Sequence, residues 1–358
     1  MCKRMLVIIT VLALLLAACV APLPPAPVAA DTAATTAQTS AAGDDATLTF
    51  VGWGGAYQEA FDKAYLNDYT ADQGVSITVD TPPDPAKLAT MVEAGQVTWD
   101  VIVVDAGTIE RSRQYLEPLD YSVIAKDEIL PGFADDQGVA VIFFAAVLGY
   151  NTETFPAAPQ SWADFFDLEK FPGTRTVLKQ PTPLLEIALV ADGVPPAELY
   201  PLDVERALRK LDTIKDSLIF AESGAQSQQQ LADGEAVMGI SYNGRIQTAI
   251  EEGAPLAIQW NQQVLTADYL AVPKGAPHKE AAMKLIAYMT AADQNYKISD
   301  HIAYAPTNVK SFDKVNPEKG ANLPTAEGRT ENSIQISYRW WGENFPATME
   351  RFTQWLLE

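Results

Sequence analysis

Residues 47–115 decide the fold: TLTFVGWGGAYQEAFDKAYLNDYTADQGVSITVDTPPDPAKLATMVEAGQVTWDVIVVDAGTIERSRQY. Leu48 to Gly52 is a short apolar strand, followed by the Gly54-Gly55 turn. Tyr57, Phe61, Ala64, Tyr65 and Tyr69 then recur at helical spacing until Gly74 stops the run. Val75 to Val79 alternates as a second strand. Pro82, Pro83 and Pro85 punctuate, and Ala86 to Ala94 reads as a helix closed by Gly95. Asp100 to Asp105 is a buried strand with a carboxylate at each end, and Thr108 to Tyr115 is another short helix. Strand and helix alternating in this order predict a mainly parallel sheet with helices on both faces.

Further along, Val139 to Leu148 is the longest apolar run of the body and suits a buried strand. Extended to Tyr150, it is long enough to pass from one lobe to another. A second α/β series comes next. Strands are expected at Arg175 to Leu178, Leu218 to Ala221, Ala236 to Ser241, Leu256 to Trp260 and Asp268 to Pro273. Helices are expected at Trp162 to Asp167, Leu184 to Ala191, Asp203 to Lys215, Arg245 to Glu252 and Lys279 to Thr290. Tyr338, Trp341, Phe345, Met349, Phe352 and Leu356 recur at steps of three and four, and Pro346 is expected to split them into two helices. Two α/β lobes joined by more than one crossing make a cleft. Ligands of open α/β sheets bind outside the carboxyl ends of strands, here Trp53, Asp105, Gln180, Tyr242 and the approach to Asp268.

The chain has 358 residues, 48% hydrophobic and 20% charged, which is globular composition for two domains or one two-lobed one. Lys and Arg number 25 against 46 Asp and Glu, a net charge of −21. That excludes the broad basic face a nucleic-acid partner needs. The two cysteines, Cys2 and Cys19, lie at the N-terminus, so the body has no disulfide framework, cysteine nucleophile or Cys-ligated zinc. Two histidines, His278 and His301, leave little room for a triad or a His-built metal site. No G-x-S-x-G, P-loop or G-x-G-x-x-G motif occurs. Neither an enzyme nor a bound cofactor or metal is expected.

The N-terminus reads as a targeting signal. Lys3 and Arg4 precede an apolar run from Met5 to Leu16, shorter than the ~20 residues of a membrane span. Leu16-Ala17-Ala18-Cys19 at its end resembles the bacterial lipobox, which implies cleavage before Cys19 and lipidation of its thiol. Residues 19–46 are rich in Ala, Pro and Thr, cannot bury a core, and read as a disordered tether. Signal (1–18), anchor, tether and body form the layout of a protein displayed at the cell envelope.

From residue 47 onward, motifs in order resemble the bacterial extracellular solute-binding proteins of ABC importers, in the spermidine/putrescine-binding-like branch. They are FVGWGGAYQEAF at Phe50, WDVIVVD at Trp99, LGYN at Leu148 and SWADFFD at Ser161. MGISYNGR at Met238, TADYLAVPKGAP at Thr266, YAPTN at Tyr304 and RWW at Arg339 complete the series. The resemblance implies a type II periplasmic-binding-protein fold with an interlobe cleft. One lobe would hold residues 47–147 and 270–304, the other 148–269 and 305–358. It also implies delivery to an ABC permease by a chain expected to be monomeric.

In that branch an aromatic at Trp53 lines the ligand, and its face attracts an ammonium; a core role is the alternative. Gly55 opens a helix that suits an anion or serves only the turn. Asp268 is the amine-binding carboxylate of the motif, or else a hinge cap. Tyr242 is a second ligand-facing aromatic, or else packing, and Trp341 a pocket edge or core. Asp105 fits a helix cap or the cleft. Two features depart from the polyamine binders. Gln180 and Pro183 stand where those carry acids, leaving Glu186 one turn further on. Arg245, beside the cleft strand, could grip a carboxylate in bidentate fashion or pair with a surface acid. The cargo the resemblance implies is a small amine-bearing solute, a polyamine such as putrescine or spermidine. These departures add weight to the alternative of a zwitterion such as an amino acid or γ-amino acid, and a thiamine-like cation is a further alternative.

Cys19→Ser should move the protein from the membrane fraction to the soluble one, because a serine cannot accept the thioether lipid; fractionation and immunoblotting would show it. Retention of the serine variant on membranes would mean that something other than the lipid holds it.

Overall fold

The computed structural model describes residues 47–155 and 157–358. The signal, lipobox and tether expected at 1–46 lie outside the described residues. Eight principal strands build one sheet: β1 (Thr47–Val51), β2 (Ser76–Asp80), β3 (Val101–Asp105), β4 (Val139–Asn151), β5 (Arg175–Leu178), β6 (Leu218–Ala221), β7 (Met238–Tyr242) and β8 (Leu256–Ala271). Their order is β2-β1-β3-β8-β4-β7-β5-β6. β1, β2 and β3 are mutually parallel, as are β5, β6 and β7. The long strands β4 and β8 pair antiparallel down the middle and carry the sheet from one lobe into the other.

The buried side chains separate along those two strands. Val139, Val141, Ile142 and Phe144 of β4 pack into the first lobe with Leu48, Phe61, Tyr65 and Leu285. Ala146 and Leu148 pack into the second with Trp162, Leu185, Ile187 and Phe352. The apolar run from Val139 to Leu148 within this 13-residue strand makes this possible, since a central strand covered on both faces can be hydrophobic at every position.

Three elements differ from the sequence expectation. Leu256 to Trp260 and Asp268 to Ala271 belong to a single strand, β8, which ends before Val272 and Pro273. The polar residues between them form a bulge. The ladder with β4 jumps from Leu148↔Gln259 to Ala146↔Val264, and Gln262 takes a left-handed φ of 63°. The bulge is pinned by Trp162 Nε1 donating to Gln262 O at 2.7 Å and Gln263 Nε2 donating to Pro324 O at 2.7 Å. The C-terminal helix, Tyr338–Leu357, runs through Pro346 without splitting. Trp341 before the proline, and Phe352 and Trp355 after it, bury into the same core, which outweighs one lost backbone bond.

The third difference is the path after residue 304. Ala305 and Pro306 pair with Phe143 and Ile142 of β4 in the first lobe. Buried Asn295 fixes the next two residues: its Oδ1 accepts from Thr307 N at 2.7 Å and Asn308 N at 2.9 Å, and its Nδ2 donates to Val141 O at 2.8 Å. Ser311 Oγ donates to Ala292 O at 2.9 Å and Lys314 pairs with Asp293. Residues 305–314 therefore lie on the first lobe, and the return to the second comes later in the chain.

Asn295→Ala should leave two buried N–H groups and a carbonyl unpaired, lowering unfolding free energy by about 3–9 kcal/mol at ~1–3 kcal/mol per orphaned group. Urea titration followed by circular dichroism measures it; an unshifted midpoint would remove Asn295 from that role.

Candidate ligand-binding site

The carboxyl end of β3 and the middle of the β8–β4 ladder meet at one point. Asp268 of β8 lies opposite Asp105 of β3 on one side and Ile142 of β4 on the other. Its backbone is thus committed to two ladders, and its side chain is only 3% exposed. Burial disfavours the charged form and pushes the Asp268 carboxyl up to about 7. The Tyr57 hydroxyl, which makes no short hydrogen bond, lies near enough to offset part of that rise. The Asp105 charge adds to the rise, while the Trp53 indole and the Arg245 guanidinium oppose it.

Asp105 serves two purposes. It caps the helix Ala106–Ser112, accepting from Thr108 N at 2.9 Å and Thr108 Oγ1 at 2.7 Å. Its charge also reaches Asp268, its cross-strand neighbour, and the hydrogen bonds support the capping reading.

Arg245 belongs to the helix Asn243–Glu251, which begins at the end of β7. It is 3% exposed, and its Nη2 donates to Gly54 O across the cleft at 3.3 Å. Its Nη1 is buried and has no hydrogen-bond partner among the described residues. Two glycines make room for it. A Cβ on Gly55 would lie 3.2 Å from Nη1, and one on Gly224 would lie 2.8 Å from Nε. Gly55 also has a φ of +57°, which other residues rarely adopt. Asn243 fixes the start of the helix, its Oδ1 accepting from Ala145 N at 2.9 Å.

Aromatic rings enclose the two charges. Tyr57 stacks on Phe61 with ring centroids 4.4 Å apart, and Phe144 meets Tyr242 edge-on at 5.2 Å and Tyr304 at 5.6 Å. The Tyr242 hydroxyl is pushed up to about 12 by burial and then by the Asp268 charge. Tyr338, held by a hydrogen bond between its hydroxyl and Thr266, also feels Asp105 and Asp268. An apolar recess lined by Gln180, Thr182, Pro183, Ser241 and Tyr242 adjoins this group.

Trp53, Gly55, Tyr242, Arg245 and Asp268 are therefore brought together. Glu186 and Trp341 come together elsewhere. Trp341 Nε1 donates to Glu186 Oε1 at 2.6 Å and Tyr200 Oη donates to the same oxygen at 2.7 Å, within the second-lobe core. Burial raises the Glu186 carboxyl. Sequence reasoning passes over Tyr57, Phe144, Tyr304 and Tyr338 as site residues. Tyr57 reads as one more apolar-face residue of its helix, and Tyr304 lies in a quoted motif without any chemistry of its own to single it out. Among the described residues no helix is long and apolar enough to cross a membrane, and no cluster of His, Cys, Asp or Glu is arranged to hold a metal.

The sequence profile described as bacterial extracellular solute-binding protein matches residues 64–325. The gamma-aminobutyric acid-binding protein of Pseudomonas aeruginosa is 34% identical over 320 residues, covering 86% of this chain and 90% of that protein. The spermidine/putrescine-binding periplasmic protein of Salmonella typhimurium is 24% identical over 294 residues, covering 77% and 82%. A solved GABA receptor superposes with a TM-score of 0.79 at 39% identity, covering 87% of this chain and 97% of its own. On the profile match and the Pseudomonas relative together, the chain belongs to the bacterial extracellular solute-binding proteins.

Proposed function

We propose that this chain captures a small zwitterion of γ-aminobutyrate type between its lobes and hands it to an ABC permease. The observation that carries the reading is a pair of opposite buried charges in one aromatic cleft, the Asp268 carboxylate and an Arg245 guanidinium with a free nitrogen. A buried ion lacking its counterpart is costly, so each favours the complementary end of a zwitterion. The ammonium end pairs with Asp268, packed by Trp53 and Tyr242. The carboxylate end takes Arg245, with Gly55 giving it clearance. A relative and a solved neighbour that bear the name of this amino acid support the choice.

A polyamine needs a second acid at its far end. Gln180 and Pro183 supply none, and Glu186 lies in the second-lobe core with Oε1 taken by Trp341 and Tyr200, its buried Oε2 having no partner among the described residues. Glu186 and Trp341 are assigned here to the supporting wall of the second lobe. Anchoring through Cys19, monomeric action and the absence of catalysis belong to the same proposal.

Titration calorimetry with γ-aminobutyrate, putrescine and spermidine tests it. Asp268→Asn should weaken γ-aminobutyrate binding ~30-fold or more, from ~2–5 kcal/mol for breaking a buried charge pair. Arg245→Ala should cost a similar factor. Tight polyamine binding that survives Arg245→Ala would replace the zwitterion with a polyamine.

Affinity should also depend on pH. The Asp268 carboxyl, raised to about 7, must be ionised to pair with an ammonium. Binding should be level above that value and fall by about tenfold per unit below it, as protons compete with the ligand. Affinity unchanged between pH 8 and pH 5 would place the ammonium elsewhere.

A further inference from the structure

The lobes touch on the outer side of the molecule as well as inside the cleft. Helix Ala106–Ser112 belongs to the first lobe, where Ile109 is part of the core. The first turns of helix Tyr338–Leu357 belong to the second, through Trp341, with Phe345 packed against the same core. The Arg111 guanidinium lies 4.2 Å from the centroid of the Phe345 ring. One turn earlier a Cβ on Gly342 would stand 3.6 Å from the Cβ of Glu110, so the two helices approach closely.

Arg111 is also wired inward. Its Nη2 donates to Thr108 Oγ1 at 3.1 Å, and that hydroxyl donates to Asp105 Oδ2 at 2.7 Å. Asp105 is the cross-strand partner of Asp268. On the other side, Phe345 rests on Trp341 with centroids 6.1 Å apart, and Trp341 donates to Glu186. A line of interactions thus runs from the second-lobe core, through Phe345, Arg111 and Thr108, to the cleft carboxylates.

Only β4 and β8 carry the described sheet from lobe to lobe, so rotation about them would separate groups that meet away from that axis. From this geometry we infer that Arg111 and Phe345 form an outer latch that exists in the closed form, and that Arg111 is a positioning residue for the cleft. The inference rests on capture between the lobes, but not on which solute is captured. A latch that breaks on opening adds to the stability of the closed state and so slows release more than capture.

The test uses the full chain with Cys2→Ser and Cys19→Ser, so that an added cysteine pair is alone. Glu110→Cys with Gly342→Cys has the Cβ spacing a disulfide needs, ~3.5–4.5 Å. Arg113, which pairs with Glu110, keeps Asp135 at 2.9 Å. Under a mild oxidant and without ligand, the cross-link should form at a rate set by the closed population. Phe345→Leu keeps apolar bulk and removes the ring, and Arg111→Met removes the charge. Each should slow cross-linking by roughly two- to thirtyfold, the span of a cation–π interaction from exposed to desolvated settings. Phe345→Tyr should restore the parent rate.

In stopped-flow with γ-aminobutyrate and the uncross-linked chain, the first two variants should raise the dissociation rate by the same factor with association little changed. Parent-like cross-linking in both, or failure of the cysteines to join at all, would overturn the latch. If the parent chain shows no affinity for γ-aminobutyrate, the cargo reading falls, while the ligand-free cross-linking still decides the latch.

Discussion

A carboxylate held almost out of water, in the middle of a ladder it cannot leave, is the constraint to which the other parts respond. Asp268 has Asp105 on one side and β4 on the other, so its backbone has no freedom to carry the charge toward solvent. The groups around it divide into those that favour its ionised form, Tyr57, Trp53 and Arg245, and one that opposes it, Asp105. Arg245 is buried as deeply, with one bond to a main-chain carbonyl. Two buried ions of opposite sign both act on Tyr242 and Tyr304, and on the proposed reading such a site would select for charge pattern first and shape second. The glycines at 55 and 224 then give the guanidinium its room, and at Gly55 the backbone φ of +57° calls for glycine as well.

Much of this can be read in the sequence because the cleft lies at strand ends, where local signals are strong. The apolar run from Val139 announces a central strand, and the carboxylate closing DVIVVD announces a strand-to-helix cap at Asp105. Arg245 and Asp268 can be singled out because a charged residue beside a buried strand needs an explanation. The family motifs then give Trp53, Tyr242 and Asp268 their expected roles.

The features hidden from sequence depend on distance along the chain. The tyrosines at 57, 304 and 338 reach the same cleft from three remote segments, and a tyrosine at helical spacing carries no sign of which partner it will meet. Glu186 looks from sequence like a cleft acid because it comes soon after Gln180 and Pro183. The structure turns it toward Trp341 and Tyr200, a choice made by a helix more than a hundred residues later. Pro346 misleads for a related reason: the local rule counts one lost backbone bond, while the fold counts the tryptophans buried on either side. Residues 305–314 stay with the first lobe through pairing with β4 and through Asn295, whose importance shows only in its partners.

The bulge at residues 260–263 has an evolutionary consequence. Side chains along a strand alternate faces, so adding or deleting one residue reverses everything downstream until the register is reset. In β8 the ladder to β4 is interrupted between Gln259 and Val264, and the intervening residues are already out of step with their partner strand. A length change at the exposed Asn261 can be absorbed where it occurs, leaving the register at Asp268 unchanged, whereas Gln262 and Gln263 are held by Trp162 and Pro324. The same change between Val264 and Ala267 would turn Asp268 to the opposite face and abolish the charge pattern. The exposed tip of the bulge is therefore the place where β8 can change length without cost to the site, whereas the stretch from Val264 to Asp268 can change only by substitution.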